Sequence, residues 1–227
     1  TIENEILWLS QLIEFRLDSF FKNNNLEINI HPPNLDDDKS NYSRFLKLNS
    51  LSNFERLILI SSISSYFKSN VFDPFLIKNK VLNQLFTEFG GKVTSNRNVF
   101  IPTLETIAFI YSENSIEKRI EIQSYFKDDH LFTKENILYM NKDESFDSYL
   151  FSTISISDEF IEFISLGSKY RPNYSSNFPA NLLTTLSDWK DLILEKNILD
   201  EIETINIWLN HKKEIKNNSI LSNKINK

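Results

Sequence analysis

The sequence predicts a mainly helical protein with a small β wing: a winged-helix-like domain followed by an extended arm and a linker helix. Three observations carry this. Apolar residues recur at three- and four-residue spacing in one segment after another, most of them preceded by a capping residue. That period gives way to alternation in only two short stretches, Ile137–Met140 and Phe151–Ile156. Beyond Gly167 the composition turns to proline, tyrosine, serine and asparagine before a last amphipathic run.

Asn4–Lys22 reads as a helix, with Ile6, Leu9, Leu12, Ile13, Leu17 and Phe20 on one stripe and Asn23-Asn24-Asn25 ending it. Leu26–Asn41 carries Pro32-Pro33 and Asp36-Asp37-Asp38, and is expected to be an extended, solvent-exposed connection. Residues 1–41 thus form a helix and an acidic connection ahead of the main domain. That domain, residues 42–167, opens with a short helix over Tyr42–Leu48. A longer helix follows, with Ser52 and Glu55 in the spacing of a capping box and Phe54, Leu57, Ile58, Ile60 and Ile63 on its apolar face. Asp73-Pro74 starts a further helix running towards Phe86 or Phe89.

The Gly90-Gly91 pair after that run suits a helix end, Gly90 in the left-handed conformation and Gly91 turning the chain. Lys92–Asn98 reads as a polar loop. Pro102 then opens a helix over Leu104–Tyr111, with Thr103 as its cap and Glu105 in its first turn. Ser115 caps Ile116–Phe126, and the two alternating stretches flank a polar turn, Asn141–Ser148. Ser157 caps Asp158–Leu166, which Gly167 ends. Helices followed by a two-stranded ribbon suit a winged helix, and a generic α-rich domain with a hairpin fits the same pattern. In residues 168–227, Lys169–Ala180 is an arm packed by its aromatics, and Ile198–Ile215 is an amphipathic helix. Asn217–Lys227 reads as a loose polar end. Trp189 and Trp208 are expected to be packing anchors rather than a ligand-stacking site.

Composition narrows the function classes. A net charge of −6 argues against a surface that binds nucleic acid throughout, because phosphate neutralisation dominates such affinity. The lack of cysteine removes disulfides and thiolate zinc sites, and fits a reducing cytoplasm. No apolar run reaches membrane-spanning length, and Thr1–Ser10 lacks the basic start of a signal peptide. Three glycines in 227 residues are few for a large nucleotide-binding α/β sheet, while 19 phenylalanines point to an aromatic core.

No catalytic, cofactor-binding or metal-binding residue emerges. The Gly90-Gly91 turn has neither Gly-x-Gly-x-x-Gly nor Gly-x4-Gly-Lys-Ser/Thr around it. Asp36-Asp37-Asp38 lacks the alternating spacing and the glycine of a calcium loop. Asp128-Asp129-His130 has metal-ligand residue types, but three adjacent residues cannot all face one ion, so His130 or an aspartate capping a helix start is expected. A hydrolase built on that trio is the rival. No serine lies in a Gly-x-Ser-x-Gly elbow, and Glu14 and Asp18 lie on a helix surface. The helix over Asn53–Tyr66 carries Arg56 as its one cation before Lys68, which is poor equipment for a DNA-recognition helix.

Several stretches, in order and spacing, resemble the region preceding the ATPase module in a family of bacterial AAA+ ATPases. These have an N-terminal winged-helix-type domain and are often found with extracellular contractile injection systems. The matching pieces are Leu51–Ile60, Thr87–Ile110, the helix around Arg119, Asp128–Met140, Ile154–Gly167, Tyr170–Leu194 and the closing helix. Together they cover the chain from about Tyr42 to its end. The resemblance implies a non-catalytic recruiting region that binds protein partners or substrates, with a DNA-binding winged-helix regulator as the alternative. It also implies ATP, magnesium and hexamer formation in a following ATPase module. No Walker A lysine, Walker B carboxylate or arginine finger lies between Thr1 and Lys227, so no family catalytic residue maps onto this chain.

Overall fold

The computed structural model describes residues 1–23, 29–112, 115–141, 148–167 and 193–211. The chain divides into two units, Thr1–Pro172 and Asn173–Lys227. The architecture is mainly helical, with small two-stranded antiparallel sheets.

Helix α1 (Ile2–Lys22) has Glu3 and Glu5 in its first turn, where carboxylates suit the helix dipole, and ends on Asn23 in the left-handed conformation. Its stripe is central to the core: Leu9 and Ile13 are fully buried, with Ile6, Leu12 and Leu17 nearly so. Helix α2 (Asn41–Asn49) is capped by the Ser40 hydroxyl. Helix α3 (Asn53–Phe67) starts on a complete capping box. The Glu55 N–H donates to Ser52 Oγ (3.2 Å) and the Ser52 N–H to Glu55 Oε2 (2.8 Å). From Leu57 to Ser64 every residue of α3 is buried, the mark of a core helix rather than an amphipathic surface one. The described part of the Pro-Pro connection is extended and mostly solvent-facing, as its composition suggests, but it is pinned to the body at several points. Leu35 is buried, its carbonyl accepts from Ser43 Oγ (3.1 Å), and the Pro33 carbonyl accepts from Arg56 (3.0 Å).

The stretch after α3 departs most from expectation. Asp73-Pro74 does not start a helix reaching Phe86 or Phe89. A 3-10 segment covers Ser69–Leu76 with Pro74 inside it, and a hairpin follows: β1 (Lys78–Asn79) paired with β2 (Gln84–Leu85). Asparagine chemistry explains the break. Asn79 Oδ1 accepts from the N–H groups of Val81 (2.9 Å) and Leu82 (3.2 Å), and Asn83 sits at φ 51°, so an Asx turn and a left-handed residue displace helical bonding. Lys92–Asn98 is likewise not simply a loop. Lys92–Val93 (β3) pairs with Phe100–Ile101 (β4), and Asn98 at φ 51° closes the turn.

Between the hairpins, Thr87–Phe89 makes one 3-10 turn. Gly90 then adopts φ 60°, ψ −142°, a region essentially reserved for glycine and not the left-handed helix end expected of it. A Cβ at Gly90 would lie 2.6 Å from Glu105 Cβ, and one at Gly91 (φ 77°) 2.1 Å from Phe100 Cζ. The glycine pair therefore lets the backbone press against Phe100 and the first turn of α4 (Leu104–Ser112).

Helix α5 (Ile116–Glu121), capped by Ser115, passes into a 3-10 segment, Ile122–Phe126, rather than continuing as one helix. After the one-turn helix α6 (Leu131–Lys134), the ribbon β5 (Leu138–Asn141) and β6 (Thr153–Ile156) pairs from Leu138↔Ile156 to Asn141↔Thr153. Phe151 belongs to the 3-10 turn Tyr149–Phe151, not to the strand. The ribbon is tied to α4 where the Leu104 N–H donates to the Ser152 carbonyl (3.0 Å). Helix α7 (Asp158–Leu166) is capped by Ser157 and ended by Gly167.

Aromatic edges and faces fill the far end of α1. Phe20 and Phe109 both contact Phe89, at centroid distances of 5.3 and 4.9 Å, and Phe75 contacts Phe100 at 5.3 Å. The near end of α1 holds a buried polar network. Glu5 is paired with Arg56 and accepts from Tyr42 Oη (3.3 Å), while Arg56 lies over the Trp8 ring. Burial raises the Glu5 carboxyl above its ordinary range against the pull of Arg56, and raises Tyr42 well above that of a phenol.

In the second unit, helix α8 spans Lys196–Asn210, starting and ending earlier than the expected Ile198–Ile215, and none of its residues is buried. The arm from Lys169 to Ala180, Trp189 and the Asn217–Lys227 tail lie outside the described residues. Among the described residues no helix is long and apolar enough to cross a membrane.

Candidate functional site

An open groove of about 580 Å³ lies where α2, α6, β5 and α7 converge. Helix α2 supplies Phe45 and Asn49, one turn apart and so on the same face. Phe160 and Phe163 of α7 lie across from them, and the Phe45 and Phe160 rings meet edge to face at 4.8 Å. Leu131 opens α6 and Ile137 leads into β5, completing an apolar floor. The exposed carboxylates Glu135 and Glu159 stand on the rim, and no cation lines the groove among the described residues.

Each wall is fixed by local chemistry. The Ser157 N–H donates to the Ile137 carbonyl (2.9 Å), anchoring the start of α7 to the ribbon. The Ser157 hydroxyl accepts from the Phe160 N–H (3.2 Å), so this lining serine is committed to a helix start. At the other end of α7, Gly167 lies against Asn41 at the start of α2, where a Cβ would come within 2.8 Å of Asn41 Nδ2. The groove can accept an apolar segment with flanking positive charge.

Apart from Ser157, none of the described sequence-predicted residues lines the groove. Thr103 stands immediately before α4. Its hydroxyl accepts from the Gly91 N–H (3.0 Å), and its own N–H donates to Thr106 Oγ1 (3.1 Å). Pro102 is buried beside it. Glu105 is paired with Arg119 of α5 in addition to its favourable place in the first turn. Trp208 is 45 % exposed on α8.

His130 caps α6, its Nδ1 accepting from the Phe132 N–H (3.2 Å). That bond places the ring hydrogen on Nε2, which donates to Glu55 Oε1 (3.1 Å). Asp128 and Asp129 are exposed beside it. Among the described residues no group of three or more His, Asp or Glu side chains is placed to hold a metal ion. Glu14 lines a smaller cleft of about 220 Å³ with Lys68 and Pro74, and Asp18 pairs with Lys22 one turn on (2.7 Å).

The groove itself and the Glu5–Arg56 and Glu55–His130 pairs have no sequence signal, since they join residues 51 and 75 positions apart. Comparison of the chain with protein-family models, curated proteins and solved structures returned no match.

Proposed function

We propose that this chain is a non-catalytic protein-binding region that recruits partners or substrates to an AAA+ ATPase module, with the α2/α6/α7 groove as its docking surface. The groove is the observation that carries the reading. It is open, apolar at its floor and polar at its rim, a composition that suits a protein contact. The stretches that resemble the AAA+ family supply the rest of it. In this reading β5–β6 is the wing of a winged-helix domain, and ATP, magnesium and hexamer formation belong to the ATPase module. The partner is a component of a contractile injection apparatus or a protein to be remodelled, and the compartment is the cytoplasm.

A DNA-binding winged helix is the alternative, and α3 would have to serve as its recognition helix. That helix is buried from Leu57 to Ser64, and its one cation, Arg56, is held by Glu5 and the Pro33 carbonyl. Base reading needs exposed donors and cations on such a helix. An electrophoretic shift assay with random duplex DNA at physiological salt separates the two. Protein docking requires no shift at micromolar protein, whereas nanomolar, steeply salt-dependent binding would establish the alternative.

A further inference from the structure

The hairpin β1–β2 is the counterpart of the groove in shape and charge. Its turn exposes Val81 at 90 % and Leu82 at 62 %, with Ile77 also uncovered at its base. Lys78 on β1 and Lys80 at the start of the turn precede the Val81-Leu82 tip, and both are exposed. The protein as a whole is acidic, so a tip of two apolar residues preceded by two lysines is a local reversal of charge. The groove offers the complement: phenylalanine rings on the floor, Glu135 and Glu159 on the rim, and no lining cation among the described residues.

The two features cannot meet within one molecule. Phe86, the residue after β2, packs against Phe20 and Phe21 at the C-terminal end of α1. Tyr42, on the helix that supplies Phe45 and Asn49, bonds to Glu5 at the N-terminal end of α1. Fifteen residues of continuous helix separate Glu5 from Phe20, a rise of about 22 Å. The length of α3 repeats the separation: its first turn touches His130, next to Leu131 of the groove, and its last leads through the 3-10 segment to the hairpin. Tip and groove therefore lie at opposite ends of the same body.

We propose that the β1–β2 hairpin of one copy docks into the α2/α6/α7 groove of a second copy, head to tail, with Val81 and Leu82 among the phenylalanines and Lys78 and Lys80 facing Glu135 and Glu159. The inference rests on the groove being a protein-docking surface and names its occupant as this same chain. The contact is heterologous, since the two partners contribute different surfaces and each copy keeps one free end for a further neighbour. Its small apolar area makes it a weak, reversible contact. Opposite charges at its edge give it register and exclude the reversed arrangement.

Sedimentation velocity on the 227-residue chain, across roughly 10 µM to 1 mM as befits a contact of low area, tests the proposal. The wild type is expected to sediment faster as concentration rises. Leu82→Asp, which spoils only the tip, and the pair Glu135→Lys with Glu159→Lys, which spoils only the groove, are each expected to stay monomeric throughout. Both variants alter exposed side chains, and circular dichroism checks that they fold. Mixed together, they are expected to form a one-to-one complex and nothing larger, because one intact tip and one intact groove remain. A wild type that stays monomeric at every concentration overturns the proposal, as does a mixture that fails to associate.

A labelled hairpin peptide covering Ile77–Leu85 isolates the groove. If it perturbs the Phe45 and Phe163 resonances while the chain stays monomeric, self-docking fails and the docking reading of the groove stands. If it perturbs neither, the hairpin has no affinity for the groove and self-docking fails. Co-sedimentation with phosphatidylserine vesicles that Leu82→Asp abolishes, in a chain that stays monomeric, would assign the tip to a membrane surface instead.

Discussion

Replacing Arg56 with methionine strands the Glu5 carboxylate. In the wild type Arg56 meets Glu5, bonds the Pro33 carbonyl at 3.0 Å and covers the Trp8 ring, while the Glu5 side chain is fully buried. Removing one partner of a buried pair costs about 3–5 kcal/mol at neutral pH, because the remaining charge is left desolvated and uncompensated. For a body of this size that is a fall in Tm of roughly 6–20 °C. Glu5 can relieve part of the cost by taking a proton. Burial already holds its pKa above the ordinary 4.5, and losing Arg56 moves it further in the same direction. A folded-state pKa above the unfolded one means that stability is greatest below pH 4.5 and is lost as pH rises towards the folded value. The deficit of Arg56→Met should therefore be smaller at pH 5 than at pH 8. Adding Glu5→Gln should restore stability relative to Arg56→Met alone, since a neutral amide is cheaper to bury than an unpaired charge. Urea unfolding followed by tryptophan fluorescence reads all of these. A deficit under about 0.5 kcal/mol, the range of ordinary surface substitutions, or one that does not change with pH, would refute the account of the network.

Other substitutions test the remaining joints. Gly91→Ala places a methyl group 2.1 Å from Phe100 at φ 77°, and is expected to destabilise by about 2–4 kcal/mol in urea unfolding. His130→Ala removes the cap of α6 and the contact to Glu55, and should cost about 1–2 kcal/mol while His130→Asn recovers part of it. A hydrolase built on Asp128, Asp129 and His130 would instead lose a measurable activity with folding intact. The Asp38 carboxyl, held down to about 2 by the Ser40 hydroxyl and then the Thr1 hydroxyl, contributes stability that is present above its ordinary 3.8 and lost as pH falls towards 2. Asp38→Asn should flatten the acid limb of the stability profile over that window. Calorimetric titration with Mg-ATP is expected to give no binding tighter than millimolar, because the sequence carries no glycine-rich phosphate-loop motif.

The helices were legible because their signals are local. Ser52 and Glu55 are three residues apart and form the capping box that spacing implies, and Ser157 and Gly167 bracket α7 as their chemistry suggests. The hairpins at residues 78–85 and 92–101 were not, since two-residue strands leave no alternation to detect. Their signal lay in asparagine: Asn79, Asn83 and Asn98 supply the Asx bonds and positive φ that glycine more often provides. The buried polar network was hidden for a different reason. Glu5, Tyr42 and Arg56 each look like surface residues in their own segments, and only the packing of α1 against α2 and α3 brings them together. The groove is assembled the same way, from one to three residues on each of several elements, which is why the chain's most site-like feature left no mark on its sequence.

Reading the coding sequence downstream of Lys227 tests the central claim most directly. If this region recruits partners to an AAA+ ATPase, the frame continues within a couple of dozen codons into a strand and a glycine-rich phosphate loop carrying the Walker A lysine. A stop codon at that point, or a continuation into a domain without a phosphate loop, would contradict it.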